Sequence, residues 1–304
     1  MSDATPGRAP VAPSPPVASS PVSSPESPAR KPNGGDLLLP VPSAGRVFRA
    51  GRRVRLGDVD PTGRLRLDSI ARYLQDVSGD DTDDSRLPDA QDWVVRRTVI
   101  EQRRPAALGE RLELATFCSG YGSRWAERRV SVLGDAGGVI DAVTVWVHVD
   151  PATGRPKSLS PEFHALYDAA AAGREVLARQ VHDPVDPAGA GVVTFPWQPR
   201  ATDLDVLDHA NNAMGWAVVE QLRARLLDAD GLGRGHAADV VAVPFRAEVE
   251  FRDAVGRAVA DGEEPLVVAH LPVGTGHLLT LWSADRSVVH LTASVQPLGE
   301  STRP

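Results

Sequence analysis

The chain has 304 residues, with 33 Lys plus Arg against 40 Asp plus Glu, and its net charge of −7 argues against a surface built to grip nucleic acid. The one cysteine, Cys118, excludes an intramolecular disulfide, and eight histidines without HExxH or CxxC spacing offer no recognisable zinc site, so no metal or other cofactor is expected. No apolar run approaches the ~18 residues of a membrane-spanning helix, and the N-terminal segment lacks the charged start and apolar core of a signal peptide; a cytoplasmic protein without membrane insertion is expected.

Taken in chain order, residues 1–43 are dominated by Pro, Ser and Ala with few long aliphatic side chains, too little apolar surface to fold, and read as a disordered tail. "RVFRAGRRVRLGDVD" then suggests a strand, and "RLDSIARYLQDVS" a helix with Ile70, Tyr73, Leu74 and Val77 on one face. "WVVRRTVIEQ", "RLELATFCSGY", "RWAERRVSVL" and "VIDAVTVWVHVD" are rich in Val, Thr, Ile and aromatics. They are separated by turns such as "GDAGG" and "PATGRP", as in an antiparallel sheet. "SPEFHALYDAAAAGREVLAR" reads as a helix with Ser160 as N-cap and Pro161 at its first position, and "HDPVDPAGAG" as a linker.

Past the linker the order repeats. Setting "DVDPTGRLRLDSIARYLQDV" on "DLDVLDHANNAMGWAVVEQL" places Asp58 on Asp203 and Asp60 on Asp205, each segment running into a helix. "TVIEQR" then meets "AEVEFR" and, after a shift of a few residues, "VIDAVTVWV" meets "VVHLTASVQ". The expectation is two copies of one α+β unit, a long helix wrapped by an antiparallel sheet, over residues 44–180 and 190–298.

The cluster "DLDVLDHANN" is the candidate for chemistry. A helix beginning near His209 to Asn212 has unpaired backbone N–H groups and the positive end of its dipole there, which favours a developing oxyanion. A carboxylate from the preceding loop, Asp205 by position, can face a substrate carbonyl and activate water or attack directly. The plain alternative is that Asp203, Asp205 and Asp208 are turn residues, and that Asn211 and Asn212 satisfy loop backbone groups.

"DLDVLDHANNAMGW" resembles the D-x-D-x-x-x-H-x-N-N run of hotdog-fold thioesterases, above all acyl-acyl-carrier-protein (acyl-ACP) thioesterases. The stretch from "WVVRRTVIEQ" to "SLSPEF" is similar to that family's N-terminal half in order and turn placement. The resemblance implies a tandem, or double, hotdog fold that hydrolyses fatty acyl thioesters in fatty acid biosynthesis. Catalysis falls in the C-terminal half, and the acyl chain is received largely by the N-terminal half. Carried over, the catalytic aspartate falls on Asp205 and the histidine on His209. The family's asparagine falls on Leu207 and its later Glu or Cys near Ala254 and Val255, so two of four polar positions are absent. Glu250 and Asp253 lie close in sequence, and Asn211 or Asn212 is a candidate for the missing amide. "DVDPTGRLRLD" resembles the D-x-D-P-x-G loop of single-hotdog acyl-CoA thioesterases, which makes Asp60 a candidate second carboxylate. Against it, Arg64 and Arg66 stand where the second copy has His209 and Asn211.

The implied partners are a fatty acyl thioester and an acyl carrier protein, with an acyl-CoA thioesterase and a non-catalytic acyl-thioester-binding protein as alternatives, in a monomer or homodimer. Arginines from Arg46 to Arg55, Arg96 to Arg104 and Arg124 to Arg129 suit either an acidic carrier or plain solvated faces. Trp93, Phe117, Trp125, Val145 and Trp146 are core residues or acyl-tunnel walls. No G-x-S-x-G elbow is present, which sets Ser123 aside, "GLGRGH" is a loop rather than a dinucleotide site, and "GDDTDDSRL" is a solvated loop without calcium-site spacing.

Overall fold

The structure, a computed structural model, describes residues 40–87, 92–229, 244–262 and 264–298. The tail up to residue 39 and the GLGRGH segment lie outside them. Ten strands form one antiparallel sheet in the order β1-β3-β4-β5-β2-β7-β10-β9-β8-β6. They are β1 Phe48–Arg53, β2 Trp93–Arg104, β3 Arg111–Tyr121, β4 Trp125–Gly134, β5 Val139–His148, β6 Val193–Trp197, β7 Phe245–Phe251, β8 Leu266–Val273, β9 Gly276–Trp282 and β10 Val289–Pro297. Among the described residues, three long helices, α1 Leu67–Ser85, α2 Pro161–Ala171 and α3 Asn212–Ala229, and a single-turn α4 Arg257–Ala260 accompany the sheet in an α+β architecture.

Read from its centre outwards, the sheet runs β2, β5, β4, β3, β1 on one side and β7, β10, β9, β8, β6 on the other, the same succession in both halves. The halves meet where β2 pairs with β7, Thr98 opposite Val249 and Ile100 opposite Ala247. These are the two stretches, "TVIEQR" and "AEVEFR", that the sequence repeat sets on one another.

Strand character follows composition. β5 is built from Val, Ile and Thr, whose branched side chains suit a pleated, half-buried surface, and most of its residues are buried. α1 and α3 lie against the sheet and against each other, closing a core that includes Ile70, Leu74 and Val77 of α1 and Trp216, Val219 and Leu222 of α3. Trp216, of which only 1% is exposed, is the largest fully buried side chain among the described residues. A second cluster forms where Phe163 and Tyr167 of α2 meet Cys118 and Ala126.

Two expectations are corrected. "GDDTDDSRL" is not a loop: α1 continues through Ser85 and ends where Arg86 adopts a left-handed conformation (φ 55°). Asp81 in that stretch is buried because Arg46, Arg128 and the Tyr167 hydroxyl converge on its carboxylate. The helix capped by Ser160 is shorter than its alanine-rich sequence suggests, stopping at Ala171 because Ala172 and Gly173 are both left-handed (φ 50° and 72°). Ser160 does cap it, accepting from the Phe163 N–H at 3.2 Å.

The contact that registers α1 on α3 is polar. Glu220, midway along α3, accepts the Leu67 N–H at 2.9 Å, filling the N-terminus of α1, and its other oxygen pairs with Arg64. Both ionic side chains are largely covered, with 6% of Arg64 and 14% of Glu220 exposed. Glu220→Ala takes the acceptor from the Leu67 N–H and one of two carboxylates from the buried Arg64 guanidinium, and should cost about 1–3 kcal/mol in chemical denaturation. Glu220→Gln, which keeps an acceptor for the N–H, should cost less.

Candidate active site

The loop before each of the two central helices has the same backbone wiring. In the first half, Asp60 N–H bonds to Arg64 O (2.9 Å), Arg66 N–H to Asp58 O (3.0 Å) and Leu65 N–H to Ala106 O (2.9 Å). In the second, Asp205 N–H bonds to His209 O (2.9 Å), Asn211 N–H to Asp203 O (2.8 Å) and Ala210 N–H to Val255 O (2.7 Å). Even the upstream turns agree: Asp58 accepts the Arg55 N–H and Asp203 the Arg200 N–H, each at 2.8 Å. Where the first loop has Gly63 with φ 86°, the second places Asp208 at φ 59°, a conformation aspartate tolerates better than most side chains.

On this common frame the side chains differ. Asp60 is fully engaged: its Oδ1 accepts the Thr62 hydroxyl (2.6 Å) and the Thr62 and Arg64 N–H groups, and its Oδ2 pairs with Arg64 Nε (3.0 Å). Burial pushes its pKa up, but the Thr62 hydroxyl and the Arg64 charge outweigh that and hold it below the usual carboxylate range. Arg64 also reaches Glu220, whose second oxygen occupies the start of α1. The first-half carboxylate and helix end are therefore tied up in one ionic chain. That arrangement does not suit Asp60 as a second catalytic carboxylate.

In the second half the corresponding positions are lighter and carry no guanidinium. Asp205 is half-buried, and its Oδ1 accepts one N–H, that of Leu207, at 2.9 Å. His209 stands at Arg64's position, exposed, its strand contact running to Gly256. Asn211 is the N-cap of α3, its side-chain oxygen accepting the Ala213 N–H at 2.9 Å, so its carbonyl is committed to structure. The same offset that sets Asp60 on Asp205 sets Gln75 of α1 on Glu220 of α3. Gln75 and Asn212 line one small cavity together with Thr98, Thr144, Trp146 and Trp216. No side chain among the described residues takes Glu220's place at the start of α3. The sequence holds this signal in the repeat alignment, as a carboxylate exchanged for an amide, but its meaning appears only once the two helices are seen to cross.

Gln75 and Trp146 also line a larger neighbouring cavity of about 190 Å³, walled by the C-terminal half of α1, by β4 and by Phe163 and Tyr167 of α2. It opens into the N-terminal half, where Trp93 and Trp146 are wall residues while Phe117 and Val145 are core. Cys118 is a wall residue too. Burial pushes its thiol pKa up to about 11, which makes it no nucleophile.

The remaining candidates are resolved by contacts. Leu207 is 72% exposed at the loop tip beside the still more exposed Val206, and its side chain has nothing with which to orient water. Val255 is brought beside the motif, accepting the Ala210 N–H through its carbonyl, but neither it nor Ala254 carries an acid or base. Glu250 is buried and faces elsewhere, accepting the Val181 and His182 N–H groups and the Thr292 hydroxyl, and Asp253 is exposed. Many of the arginines expected to form a basic surface are neutralised in place: Arg46 by Asp81 and Asp84, Arg49 by Glu113, Arg52 by Asp76 and Asp80, Arg103 by Glu101 and Arg129 by Asp141. No cluster among the described residues has the makings of a metal site, and no helix among them is long and apolar enough to cross a membrane.

Solved structures share this fold over most of the chain. A putative oleoyl thioesterase from Lactobacillus plantarum superposes with a TM-score of 0.62 at 18% identity, covering 85% of this chain and 99% of that one. The 12:0-ACP thioesterase from Umbellularia californica gives 0.60 at 17% identity, covering 82% and 96%. The fold is thus that of the hotdog-fold thioesterases. Residues 45–167 match the family model of the acyl-ACP thioesterase N-terminal domain, so that segment is similar to the N-terminal domain of that family. An uncharacterised protein of Mycobacterium tuberculosis is 28% identical over 234 residues, 77% of this chain and 86% of that protein. The chloroplastic oleoyl-acyl carrier protein thioesterase 1 of Arabidopsis thaliana is 26% identical over 178 residues, 54% of this chain and 46% of that protein.

Because Asn211 caps α3, Asn211→Ala should lower stability by about 1 kcal/mol in a denaturant titration, and Asn211→Asp should restore most of it. A large loss of turnover in Asn211→Asp at unchanged stability would show instead that the amide itself takes part in the chemistry.

Proposed function

We propose that the chain hydrolyses fatty acyl thioesters, preferably carrier-protein linked, at the N-terminus of α3, with Asp205 as base and His209 as its partner. The observation that carries this reading is the contrast between two like helix ends: that of α1 is filled by Glu220, and that of α3 lies beside neutral Gln75 at a cavity. Two tandem hotdog units, residues 44–180 and 190–298, would pair within one chain, the first receiving the acyl group and the second supplying the catalytic loop. A cytoplasmic place in fatty acid biosynthesis is part of the same proposal.

In this scheme the Asp205 carboxylate takes a proton from water as its oxygen bonds to the thioester carbon. The carbonyl π pair moves onto oxygen, where the Asn212 N–H and the positive end of the α3 dipole stabilise it. Collapse breaks the carbon–sulfur bond, and the thiolate leaves with a proton returned from Asp205 or from protonated His209. The products are a free acid and the carrier thiol.

Leu207 and Ala254 favour a second reading, in which the site binds acyl thioesters and turns them over slowly or not at all. Free-thiol release from acyl-ACP and acyl-CoA panels separates the two. Asp205→Asn should lower kcat by about 100-fold or more, in the range of a lost general base. Asp60→Asn should leave turnover standing while lowering stability, since it breaks the pairing with Arg64. Turnover that survives Asp205→Asn would overturn the assignment, and binding without turnover in the unaltered protein would establish the second reading.

A further inference from the structure

The larger cavity has a lining unsuited to a bare hydrocarbon. Along α1, Gln75, Ser78, Gly79 and Thr82 fall at helical spacing on one face and all line it. The side chains of Gln75, Ser78 and Thr82 form no hydrogen bond to any other described residue. Across the cavity stand Glu127 and Arg128 of β4, with the Tyr167 ring beside them. Arg128 keeps 14% of its side-chain surface accessible although the protein surrounds it. Burial works against its charge, but Asp81 and Tyr167 outweigh that, so the guanidinium remains protonated.

An unsubstituted acyl tail in this space would take two hydroxyls and an amide out of water and offer them nothing in return. The charges, by contrast, are already balanced. Arg128 faces Asp81, which Arg46 shares while also holding Asp84, and Glu127 pairs with Arg174. A carboxylate entering here would meet Glu127 with no cation free to receive it. A neutral oxygen, able to accept from Ser78, Thr82 or the Gln75 amide and, where it is a hydroxyl, to donate back, fits the wall as it stands.

We propose that this cavity is a subsite for acyl groups bearing a neutral oxygen, a hydroxyl or an oxo group, and that Gln75, Ser78 and Thr82 select them over saturated chains of the same length. The proposal rests on the thioesterase reading above for the path by which the acyl group enters, beside Asn212. Trp93, Trp146 and Phe163 supply the apolar part of the wall, so the carbon skeleton on either side of the oxygen is also accommodated.

The test is a matched-length series on one carrier: the saturated acyl thioester, hydroxyacyl and oxoacyl thioesters with the oxygen walked along the chain, and the ω-carboxyacyl thioester. At its best position the neutral oxygen should raise kcat/KM about tenfold over the saturated parent, the worth of a satisfied hydrogen bond at a site that otherwise loses one. The Ser78→Ala and Thr82→Val double variant should lose that preference by raising turnover of the saturated chain and lowering that of the oxygenated one. A merely structural role for the two residues would lower both together. Equal or better turnover of the saturated chain by the unaltered protein, a preference for the ω-carboxy chain, or a preference the double variant leaves intact would each overturn the proposal. If nothing in the series is hydrolysed, the thioesterase reading fails. Calorimetric binding of the corresponding free acids then decides the subsite separately, tighter binding of the hydroxy acid supporting it and tighter binding of the saturated acid overturning it.

Discussion

Every α-helix begins with backbone N–H groups that the helix itself cannot satisfy, and this chain has two such beginnings buried between like halves. The structure answers the need twice, in different ways. At α1 a carboxylate from the opposite helix closes the end, and Arg64 neutralises that carboxylate together with Asp60. At α3 the residue in the corresponding place is an amide, the arginine has become a histidine, and a cavity begins where the ionic chain would have been. The same position is filled by an ion pair in one half and borders a cavity in the other.

The asymmetry explains how one chain can carry two copies of a loop without requiring two sites. The backbone bonds of the two loops agree almost one for one, so the same loop scaffold leads into both helices. What differs is the filling. Asp60 is held ionised and saturated by its neighbours, which makes it a good structural anion and a poor base. Asp205 makes a single side-chain hydrogen bond and keeps acceptor capacity in hand.

The joining of the halves through β2 and β7 has its own consequence. Continuous pairing across the middle of the sheet fixes the two helices in register, so that Gln75 arrives opposite the start of α3 just as Glu220 arrives opposite the start of α1. The larger cavity lies in the first half, under the C-terminal turns of α1, while the loop that carries Asp205 belongs to the second. Burial of Asp81 beneath two arginines and a tyrosine is what allows α1 to run on over that cavity through an acid-rich stretch that would otherwise favour solvent.

Much of this was legible in the residues. Alternating branched and aromatic residues marked the strands of the first half, the repeat could be aligned from Asp60 and Asp205, and the D-x-D-x-x-x-H-x-N-N run marked the loop before α3, because each depends on local spacing along the chain. The true length of α1 and the early stop of α2 were not, since one depends on distant arginines that neutralise Asp81 and the other on two left-handed residues in an alanine-rich run. Nor did sequence show how differently Asp60 and Asp205 are engaged by their neighbours, or single out Gln75 and Glu220. Those distinctions depend on which side chain of one helix meets the end of another across the sheet, and a contact between residues some 150 positions apart is set by tertiary packing rather than by local propensity.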